Sequence, residues 1–532
     1  MTKDLLIRNA RIIDGTGAPW FAGSVRVSAG RIATVGATAA AEGADVVEAE
    51  RRYLAPGFID AHCHDDLICL REPGRIEKAV QGVTTVVVGN CSFSLYPAAP
   101  QSRELLRQHF SRLLGETLTS EVFENFIAYR DALHRGGIAL NVISLVGHAA
   151  LRLAVMGYER RPATRDERAA MQATLARELA DGAAGLSLGL VYPPSAFADH
   201  AELLALAETV AAHGKLLAAH IRSYEAGLAT AVEEFLGLLR ASKAAGLLSH
   251  LQSAGRPNWG SVPRILDRLE AARYEGTDVS FDMYPYPAGS SYVLQLLPPE
   301  VQEGGLDSLR QRLRDPDRRE ELRRIVEDGP SDPSEAQSKV ALIGWHNVRI
   351  SGTSNPDLKR FEGKSMDAAA REEGITPFDL MVRCIEEDAG QTAIVMFQLD
   401  ERDLCAACTH RLHMVGSDSL PRPGTKPHPR AFGTFPRIAG PLTRKSGWFK
   451  LEDAVRRMTS MPAERFSLTD RGLVRPGLQA DLVLFNETIA DRATFDSPTE
   501  LASGVDYVWV AGQPILADGK LTGRRPGRVL GG

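Results

Sequence analysis

The sequence predicts an α/β fold in which a (β/α)8 barrel of the TIM type carries a small discontinuous β-sandwich domain and an inserted lid-like segment. Both ends of the 532-residue chain alternate like paired β-strands, the middle alternates apolar runs with amphipathic helices, and one charged stretch interrupts that rhythm. The predicted limits are 1–57 and 461–532 for the β-domain, 58–460 for the barrel and about 287–345 for the insertion.

The β-domain is predicted from strand-like segments near both termini. Residues 5–13 and 24–35 alternate or run apolar near the start, and residues 480–485 and 507–516 do so near the end. Each terminal piece alone is too small to bury a useful core. We therefore expect the two ends to pack together as one domain.

The barrel is predicted from near-continuous apolar runs that alternate with helices such as 103–114 and 201–213. Parallel strands covered on both faces have this composition. The runs are 58–64, 83–91, 140–148, 184–192, 216–221, 247–252, 279–284 and 412–418. A ninth run, 392–397, leaves open which late strand closes the barrel. The insertion is predicted from a charged helical stretch that includes residues 317–324.

Composition excludes several classes of partner. Lys and Arg number 62 against 67 Asp and Glu, so no basic excess is available to bind nucleic acid. No apolar run approaches the ~18 residues of a membrane span, and the start of the chain shows no secretory signal. Six cysteines in so long a chain do not form a disulfide framework. We expect a cytoplasmic protein that acts on a small molecule, and its oligomeric state stays open.

Histidine and cysteine recur where the predicted strands end. His62 and His64 form a His-x-His pair, and on a strand a period of two points both imidazoles to one face. Such a pair alone is weak evidence, because two packed strand histidines would look the same. Cys91, His220 and His250 follow other apolar runs, and each alone would more often be structural.

Together these five nitrogen and sulfur donors end four strands of one predicted barrel. The carboxyl ends of such strands form the active-site face, so the donors are expected to converge. Imidazole with thiolate selects zinc over magnesium or calcium. His148 and Asp66 are candidates for orienting these ligands from behind, although packing explains His148 equally well.

A second cysteine cluster superficially suggests a zinc knuckle. Cys405, Cys408 and His410 lie close together, with His413 just behind. Glu401 opens what looks like a helix, which places the two cysteines one turn apart and feeds directly into the run 412–418. No loop remains to wrap four donors around an ion, so we favour a structural role.

Several sequence blocks resemble the N-acyl-D-amino-acid deacylases (D-aminoacylases) of the amidohydrolase superfamily. The resemblance covers nearly the whole chain and is most specific around Cys91, because many amidohydrolases bridge two metals with a carboxylated lysine instead. The run 184–192 contains no lysine, in agreement with the cysteine type. Besides the His-x-His pair, the blocks are GVTTVVVGNC (82–91), GLVYPP (189–194), HIRS (220–223), GRPNWG (255–260), YPY (284–286), GSD (416–418) and HPR (428–430).

This resemblance implies roles for the metal ligands. Cys91, His220 and His250 are expected to hold one tight Zn2+. His62 and His64, which would share Cys91, are expected to form a second, weaker site, and Asp418 also counts among the metal ligands. The expected reaction is zinc-dependent hydrolysis of the amide bond of N-acyl-D-amino acids. Metal-bound hydroxide attacks the acyl carbonyl, and Asp418 carries the water's proton to the leaving amine.

The resemblance also implies the substrate contacts. Tyr192 is expected to stabilise the oxyanion. Arg430 is the expected clamp for the substrate carboxylate, with Tyr284 and Ser290 as hydroxyl partners, and Arg222 is placed near the acyl or side-chain pocket. The stretch 287–340 matches the family's lid-like insertion.

Two departures from the family keep other functions open. Gln252 stands where these deacylases commonly carry a lysine, which removes a positive charge from the carboxylate clamp. Ser419 follows Asp418 where glycine is usual. A hydrolase of uncharged N-acyl or ureido compounds would fit Gln252, whereas a cyclic-amide hydrolase would prefer the missing bridging lysine. A non-catalytic scaffold would give no reason for five donors plus Asp418.

The structural interpretation of the second cluster predicts that Cys405→Ser combined with Cys408→Ser leaves the zinc content unchanged. Neither thiol is expected to hold an ion. Elemental analysis of the purified double variant against the wild type measures this. A lower zinc stoichiometry in the double variant would show that the knuckle is real.

Overall fold

The structure, a computed structural model, describes residues 4–36, 43–331 and 337–531. The predicted domain limits at residue 1 and at residue 532, and part of the predicted insertion, lie outside these ranges. Among the described residues, none of the helices combines the length and apolar character that crossing a membrane requires.

The strands group into four sheets. The strands are β1 (Leu5–Ile12), β2 (Phe21–Ser28), β3 (Arg31–Gly36), β4 (Asp45–Glu48), β5 (Tyr53–Pro56), β6 (Phe58–Asp60), β7 (Val83–Val88), β8 (Asn141–Ser144), β9 (Val146–Gly147), β10 (Gly185–Gly189), β11 (Leu216–His220), β12 (Ala245–Leu248), β13 (Val279–Met283), β14 (Ala288–Tyr292), β15 (Val348–Gly352), β16 (Ala393–Phe397), β17 (His413–Val415), β18 (Leu482–Ala490), β19 (Ser503–Val510), β20 (Gln513–Ala517) and β21 (Lys520–Leu521).

The helices lie mostly between the parallel strands and in the insertion. They are α1 (Ile68–Arg71), α2 (Ile76–Ala79), α3 (Arg103–Leu114), α4 (Phe126–Gly136), α5 (His148–Met156), α6 (Arg165–Ala180), α7 (His200–Ala212), α8 (Leu228–Ser242), α9 (Val262–Tyr274), α10 (Leu306–Arg314), α11 (Pro316–Asp328), α12 (Lys339–Ile343), α13 (Met366–Glu373), α14 (Pro377–Glu387), α15 (Glu401–Thr409), α16 (Arg430–Ala439), α17 (Pro441–Arg444), α18 (Leu451–Met458) and α19 (Ser460–Arg465). Capping residues mark several helix starts. Thr164, for example, caps α6 in a reciprocal pair with Glu167.

Parallel strands form the centre of the molecule. One sheet has the order β17-β13-β12-β11-β10-β9, and a second has the order β6-β7-β8. These strands are almost entirely buried, which explains their unbroken apolar character. Backbone hydrogen bonds join the two sheets at both edges, from Ala184 to Ser144 (2.9 Å) and from Ala61 to Val415 (3.1 Å).

Of the two apolar runs near the end of the predicted barrel, one belongs to the parallel sheet. His413–Val415 pairs with β13, whereas Ala393–Phe397 is the central strand of a small antiparallel sheet between β14 and β15. The segment that interrupts the strand–helix alternation is therefore longer than the predicted 287–345. It begins at β14, includes β15 and β16, and continues to the start of α15.

The predicted strands are longer than the observed ones at their carboxyl ends. Cys91, His250 and Asp418 lie two or three residues beyond β7, β12 and β17, and each has a positive φ (52°, 36° and 47°). The chain therefore leaves the extended conformation before it reaches these residues. His62 and His64 follow β6, where pairing continues only as a bridge from Cys63 to Ser419.

Strands from both termini form one nine-stranded sheet. Its order is β21-β20-β19-β18-β5-β1-β2-β3, with β4 paired to β1. Strand β18 pairs with β5. Gly57 connects β5 of this sheet to β6, the first of the parallel strands. A Cβ at this position would lie only 2.2 Å from the Thr84 side chain, so the close approach there requires glycine. The last described residues leave this sheet. Val529 instead pairs with Val142 on β8.

Candidate active site

The residues that were expected to bind metal meet at the carboxyl ends of the parallel strands. His62 and His64 follow β6, Cys91 follows β7, His250 follows β12, and His220 is the last residue of β11. Asp418 follows β17. All six residues are buried, from 0% to 7% exposed. Parallel strands deliver their carboxyl ends to one face, so residues far apart in sequence become neighbours.

Their donor atoms form two adjoining groups of three. His62, Cys91 and His250 form one group, and His62, His64 and Asp418 form the other, with the ligand atoms of each group within 4.8 Å of one another. The Cys91 Sγ lies 3.3 Å from His62 Nε2 and 3.5 Å from His250 Nε2. Asp418 Oδ1 lies 3.3 Å from His64 Nε2 and 3.5 Å from His62 Nε2.

His220 lies beside these groups rather than within them. Its ring centroid is 4.5 Å from that of His250, and it belongs to neither group of described donors. The buried Nδ1 atoms of His64, His220 and His250 have no hydrogen-bond partner among the described residues. Unpartnered buried nitrogens are uncommon. The Nε2 atoms on the other side of the His62, His64 and His250 rings, together with the Cys91 sulfur, match the ligands that zinc takes. The donor set therefore fits zinc.

Asp282 orients two of the histidines, and the sequence analysis missed it. This fully buried carboxylate lies 3.2 Å from His62 Nδ1 through Oδ2 and accepts a hydrogen bond from the His250 backbone N–H through Oδ1 (3.0 Å). The first contact fixes the tautomer and direction of the His62 imidazole, and the second fixes the backbone at His250. The available signal was an acidic residue inside the apolar run 279–284, which has no reason to be buried unless it is paired.

Asp418 is held by a buried arginine. The Arg430 guanidinium lies 2.9 Å from Asp418 Oδ2 and is centred 4.3 Å over the Tyr284 ring. Burial alone would raise the pKa of the Asp418 carboxyl, but the Arg430 guanidinium and the neighbouring imidazoles hold that pKa well below its usual range. The Oδ1 atom of Asp418 therefore faces the histidines, while its Oδ2 atom contacts the Arg430 guanidinium.

A pocket opens above these donors. Its walls include four of the predicted substrate contacts, namely Tyr192, Gln252, Tyr284 and Ser290. The Tyr284 hydroxyl donates to Gln252 Oε1 at 3.4 Å. Burial raises the pKa of Tyr192, so its phenol stays protonated and able to donate. Arg430 is not among the described side chains that line this pocket, because it is fully buried behind Asp418.

The other predicted residues lie farther from the donors. Arg222 lines a neighbouring cavity, and its guanidinium is bound to Glu234 and to the carbonyl oxygens of Ala196 and Ala198 (2.7–3.0 Å). Because these partners occupy its guanidinium, Arg222 acts as a structural contact of the loop after β11.

The two candidates for orienting ligands contact none of them. His148 pairs with Glu202 on α7 at 2.7 Å, which joins α5 to α7. The Asp66 carboxyl is buried with neither oxygen hydrogen-bonded by a described residue. Burial raises its pKa well above the usual range. The packing interpretation therefore applies to His148.

The second cysteine cluster lies on a helix, as expected. Cys405 and Cys408 both belong to α15, and within the described ranges neither belongs to a group of potential metal ligands. His410 pairs with Glu270 at 2.9 Å, and His413 Nε2 lies 3.1 Å from the Met283 carbonyl oxygen.

A buried lysine connects the segments on either side of the site, and sequence reasoning missed it as well. Lys78 Nζ lies 2.5 Å from Asp60 Oδ2 and donates to the Ser417 and Ser419 hydroxyls at 3.1 and 2.9 Å. The Ser419 hydroxyl in turn donates to Asp65 at 2.9 Å. Burial alone would lower the pKa of Lys78, but the Asp60 and Asp65 carboxylates raise it. This network fixes the segment that carries Asp418.

Comparison with known proteins agrees with the fold. The amidohydrolase family model matches residues 45–278 and 363–516 and leaves out most of the insertion. The chain is 35% identical to D-aminoacylase of Alcaligenes xylosoxydans xylosoxydans, over 99% of this chain and 97% of that protein. N-acyl-D-glutamate deacylase and N-acyl-D-aspartate deacylase of the same organism are also each 35% identical, over 99% of this chain and 96% and 95% of their own lengths.

Two solved structures match over their full lengths. One is N-acyl-D-glutamate deacylase from Bordetella bronchiseptica with zinc and a phosphonate that mimics the tetrahedral intermediate (TM-score 0.83, 34% identity, 100% of both chains). The other is a D-aminoacylase with a binuclear metal centre, described as activated by one metal and attenuated by a second (TM-score 0.82, 34% identity, 100% of both chains). The chain therefore belongs to the amidohydrolase family and, within it, to the N-acyl-D-amino-acid deacylases, as its motifs indicated.

The lysine network predicts that Lys78→Met destabilises the protein strongly. Removing the ammonium leaves the Asp60 carboxylate buried without its cation, which typically costs about 3–5 kcal/mol. Urea denaturation followed by circular dichroism measures the free energy of unfolding. Lys445→Met, at an exposed lysine, is the matched control and is expected to change stability little. Equal stability of the two variants would contradict the role assigned to Lys78.

Proposed function

We propose that this protein is a zinc-dependent hydrolase that cleaves the amide bond of N-acyl-D-amino acids to a carboxylate and a free D-amino acid. One observation carries the proposal. The Cys91 thiol contacts His62 and His250, and the Asp418 carboxylate contacts His62 and His64, below a single pocket. The deacylase activities of the relatives and the zinc in the Bordetella structure support it.

The donors provide for one tight zinc and a weaker second one. We assign Cys91, His220 and His250 to the tight site, and His62, His64 and Asp418, with Cys91 shared, to the weaker one. The contact of Cys91 with both His62 and His250 supports a shared thiolate. His220 enters the tight site on the family resemblance alone. The binuclear centre of the related D-aminoacylase supports two sites of unequal role.

The chain's own residues supply proton transfer and orientation. When bound, zinc supplies an activated water near neutral pH and a positive charge that polarises the acyl carbonyl. Asp418 accepts the proton of the attacking water through Oδ1 and later delivers it to the amine, which leaves readily only when protonated. Arg430, fixed on Oδ2, keeps the carboxylate ionised and directed at the histidines. The Tyr192 phenol donates to the developing negative charge on the acyl oxygen.

Substrate binding is assigned to the polar wall of the pocket. Tyr284, Ser290 and Gln252 line the same space. The Gln252 amide nitrogen can donate to a carboxylate, and the Tyr284 and Ser290 hydroxyls, which donate to Gln252 Oε1 and to the Ile394 carbonyl oxygen, would turn toward the carboxylate when substrate binds. Arg430 contributes from behind Tyr284, as a positive field rather than a direct contact, because its guanidinium is already on Asp418. Arg222 takes its place at the adjoining cavity, next to the acyl or side-chain arm of the substrate.

A second candidate function is hydrolysis of uncharged N-acyl or ureido compounds. Gln252 favours it, since glutamine binds a neutral carbonyl or amide as well as it binds a carboxylate. The experiment that tests both candidates is a substrate panel, described below.

The contacts also support two finer features of the fold. We propose that the two parallel sheets form one closed barrel of eight strands, in which β8 and β9 are two parts of one strand. The hydrogen bonds at both sheet edges support closure. We propose that the terminal sheet folds on itself as a sandwich. The shared cluster of Ile7, Val25, Leu482 and Trp509 supports that packing.

We propose that the β-domain comprises residues 1–57 and 461–532 and that the barrel comprises residues 58–460. A cytoplasmic location is also proposed, and the six unpaired cysteines support it.

Two variants separate metal binding from proton transfer. Cys91→Ala removes the thiolate that touches both imidazoles, so it is expected to lose most bound zinc and most activity. Asp418→Asn keeps Cys91, His220 and His250, which are assigned to the tight site, so it is expected to retain the tight zinc. The asparagine amide cannot accept a proton, so turnover is expected to fall at least about 100-fold. Elemental analysis and initial rates measure both. Full zinc and full activity in Cys91→Ala, or near-normal turnover in Asp418→Asn, would contradict these roles.

The substrate panel compares N-acetyl-D-leucine with its L-isomer and with N-acetyl-D-leucinamide. We expect the D-acid to be hydrolysed best, because exchanging the carboxylate and the side chain misplaces both. Gln252→Lys is expected to lower the KM for the D-acid about tenfold by adding a charge-assisted bond. Gln311→Lys, on the exposed surface of α10, controls for net charge. Faster hydrolysis of the uncharged amide would favour the second candidate function.

A further inference from the structure

The active-site pocket adjoins a second cavity of about 90 Å3. Glu225, Gln295 and Lys339 line both spaces, so they form the boundary between them. Beyond this boundary the second cavity is largely apolar, with Leu190, Val191, Leu296, Leu297, Ile325 and Val326 in its walls. A substrate arm that extends past the boundary therefore meets an apolar environment.

The boundary contains an ion pair that joins the barrel to the insertion. Lys339 Nζ, at the start of α12, lies 2.5 Å from Glu225 Oε1 in the loop after β11. Their side chains are 17% and 9% exposed. The other Glu225 oxygen accepts from the Ser223 hydroxyl at 3.0 Å and from the Tyr224 N–H at 3.1 Å. The pair is therefore fixed on the barrel side and covered on the insertion side.

The carboxyl of Glu225 is ionised at neutral pH. Burial alone would raise the pKa of Glu225, but the Lys339 ammonium lowers it below the ordinary value. Lys339 is the only lysine or arginine among the described residues that line the active-site pocket. Its charge is matched by Glu225, so the boundary as a whole is neutral.

We propose that the Glu225–Lys339 pair is a charge filter that admits a neutral arm of the substrate to the apolar cavity and rejects an arm that ends in a carboxylate. The inference rests on the proposed deacylase function and names its substrate class. An entering carboxylate is repelled by Glu225 at short range in a partly buried site, and both cations among the described residues that line the second cavity are already paired, Lys339 with Glu225 and Arg222 with Glu234. An apolar arm meets no such repulsion and is favoured by burial.

Overall sequence similarity does not show which substrate this protein prefers, and the filter answers that question. Three relatives that are named for different substrates have the same identity to this chain, 35%. Discrimination must therefore come from particular residues at the pocket, and an added charge is among the strongest means of discrimination available in a partly buried site.

The test changes the charge of the boundary by one unit in each direction. Glu225→Gln frees the ammonium, and Lys339→Met removes it. For each variant, kcat/KM is measured for N-acetyl-D-glutamate and for N-acetyl-D-glutamine, which have the same shape but differ in charge. A second pair, N-succinyl-D-leucine and its neutral carboxamide, places the charge on the acyl arm and shows which arm meets the filter.

The charged-to-neutral ratio of kcat/KM is expected to rise about tenfold or more in Glu225→Gln and to fall by a similar factor in Lys339→Met, for one of the two arms. The double variant restores neutrality and is expected to return close to the wild-type ratio, even if Lys339→Met alone folds poorly. Glu386→Gln is the matched control. It removes a negative charge from another ion pair of the same insertion, outside both cavities, and is expected to leave the ratio unchanged.

A ratio that Glu225→Gln leaves within about twofold of wild type for both arms would overturn the filter, as would shifts of the two single variants in the same direction. A role confined to anchoring the insertion would lower kcat/KM for charged and neutral substrates alike and would not move the ratio. Failure of the proposed function shows differently, as a wild-type enzyme that hydrolyses none of these D-acids.

Discussion

The active site depends on one buried ammonium group. Lys78 connects the carboxyl end of β6, through Asp60 and Asp65, to the two serines that flank Asp418 after β17. The first and the last parallel strands are thereby joined just beneath the metal ligands. A lysine without accessible surface is stable only because carboxylates and hydroxyls surround it. In return it fixes the backbone at Asp418, which has the positive φ that a non-glycine residue rarely adopts.

The residue types that chemistry requires could be predicted from the sequence, but their supports could not. Five nitrogen and sulfur donors stand out because they end apolar runs, and a strand pattern is enough to bring such positions to one face. Asp282 acts through partners 32 and 220 residues away, and Lys78 hydrogen-bonds partners that lie 18 to 341 residues away, so no local pattern shows them. The extent of the insertion was missed for a similar reason, since β16 has the apolar composition of a barrel strand and only its antiparallel pairing tells it apart.

Arg430 shows how one cation can act in two places. A sequence motif suggests a clamp for the substrate carboxylate, yet the guanidinium is fully buried, bound to Asp418 and stacked on Tyr284. Its charge still reaches the pocket through a low-dielectric wall, where a field is screened less than in water. In the proposed function, orientation of the proton carrier and attraction of an anionic substrate thus come from the same group, and the polar contacts with the substrate are assigned to Tyr284, Ser290 and Gln252.

Chemistry and selection lie on different parts of the chain. The donors, Asp418 and Lys78 lie on or beside parallel strands that the amidohydrolase family model covers, whereas Asp282, on β13, lies just outside the matched residues 45–278 and 363–516. Lys339 and most of the residues that line the apolar cavity belong to the insertion and lie within residues 279–362, which the model leaves out. An insertion can change its side chains without moving a metal ligand, because its contacts with the site pass through a few boundary residues such as Glu225. A barrel that keeps one reaction can therefore acquire a different substrate through the segment that covers its mouth.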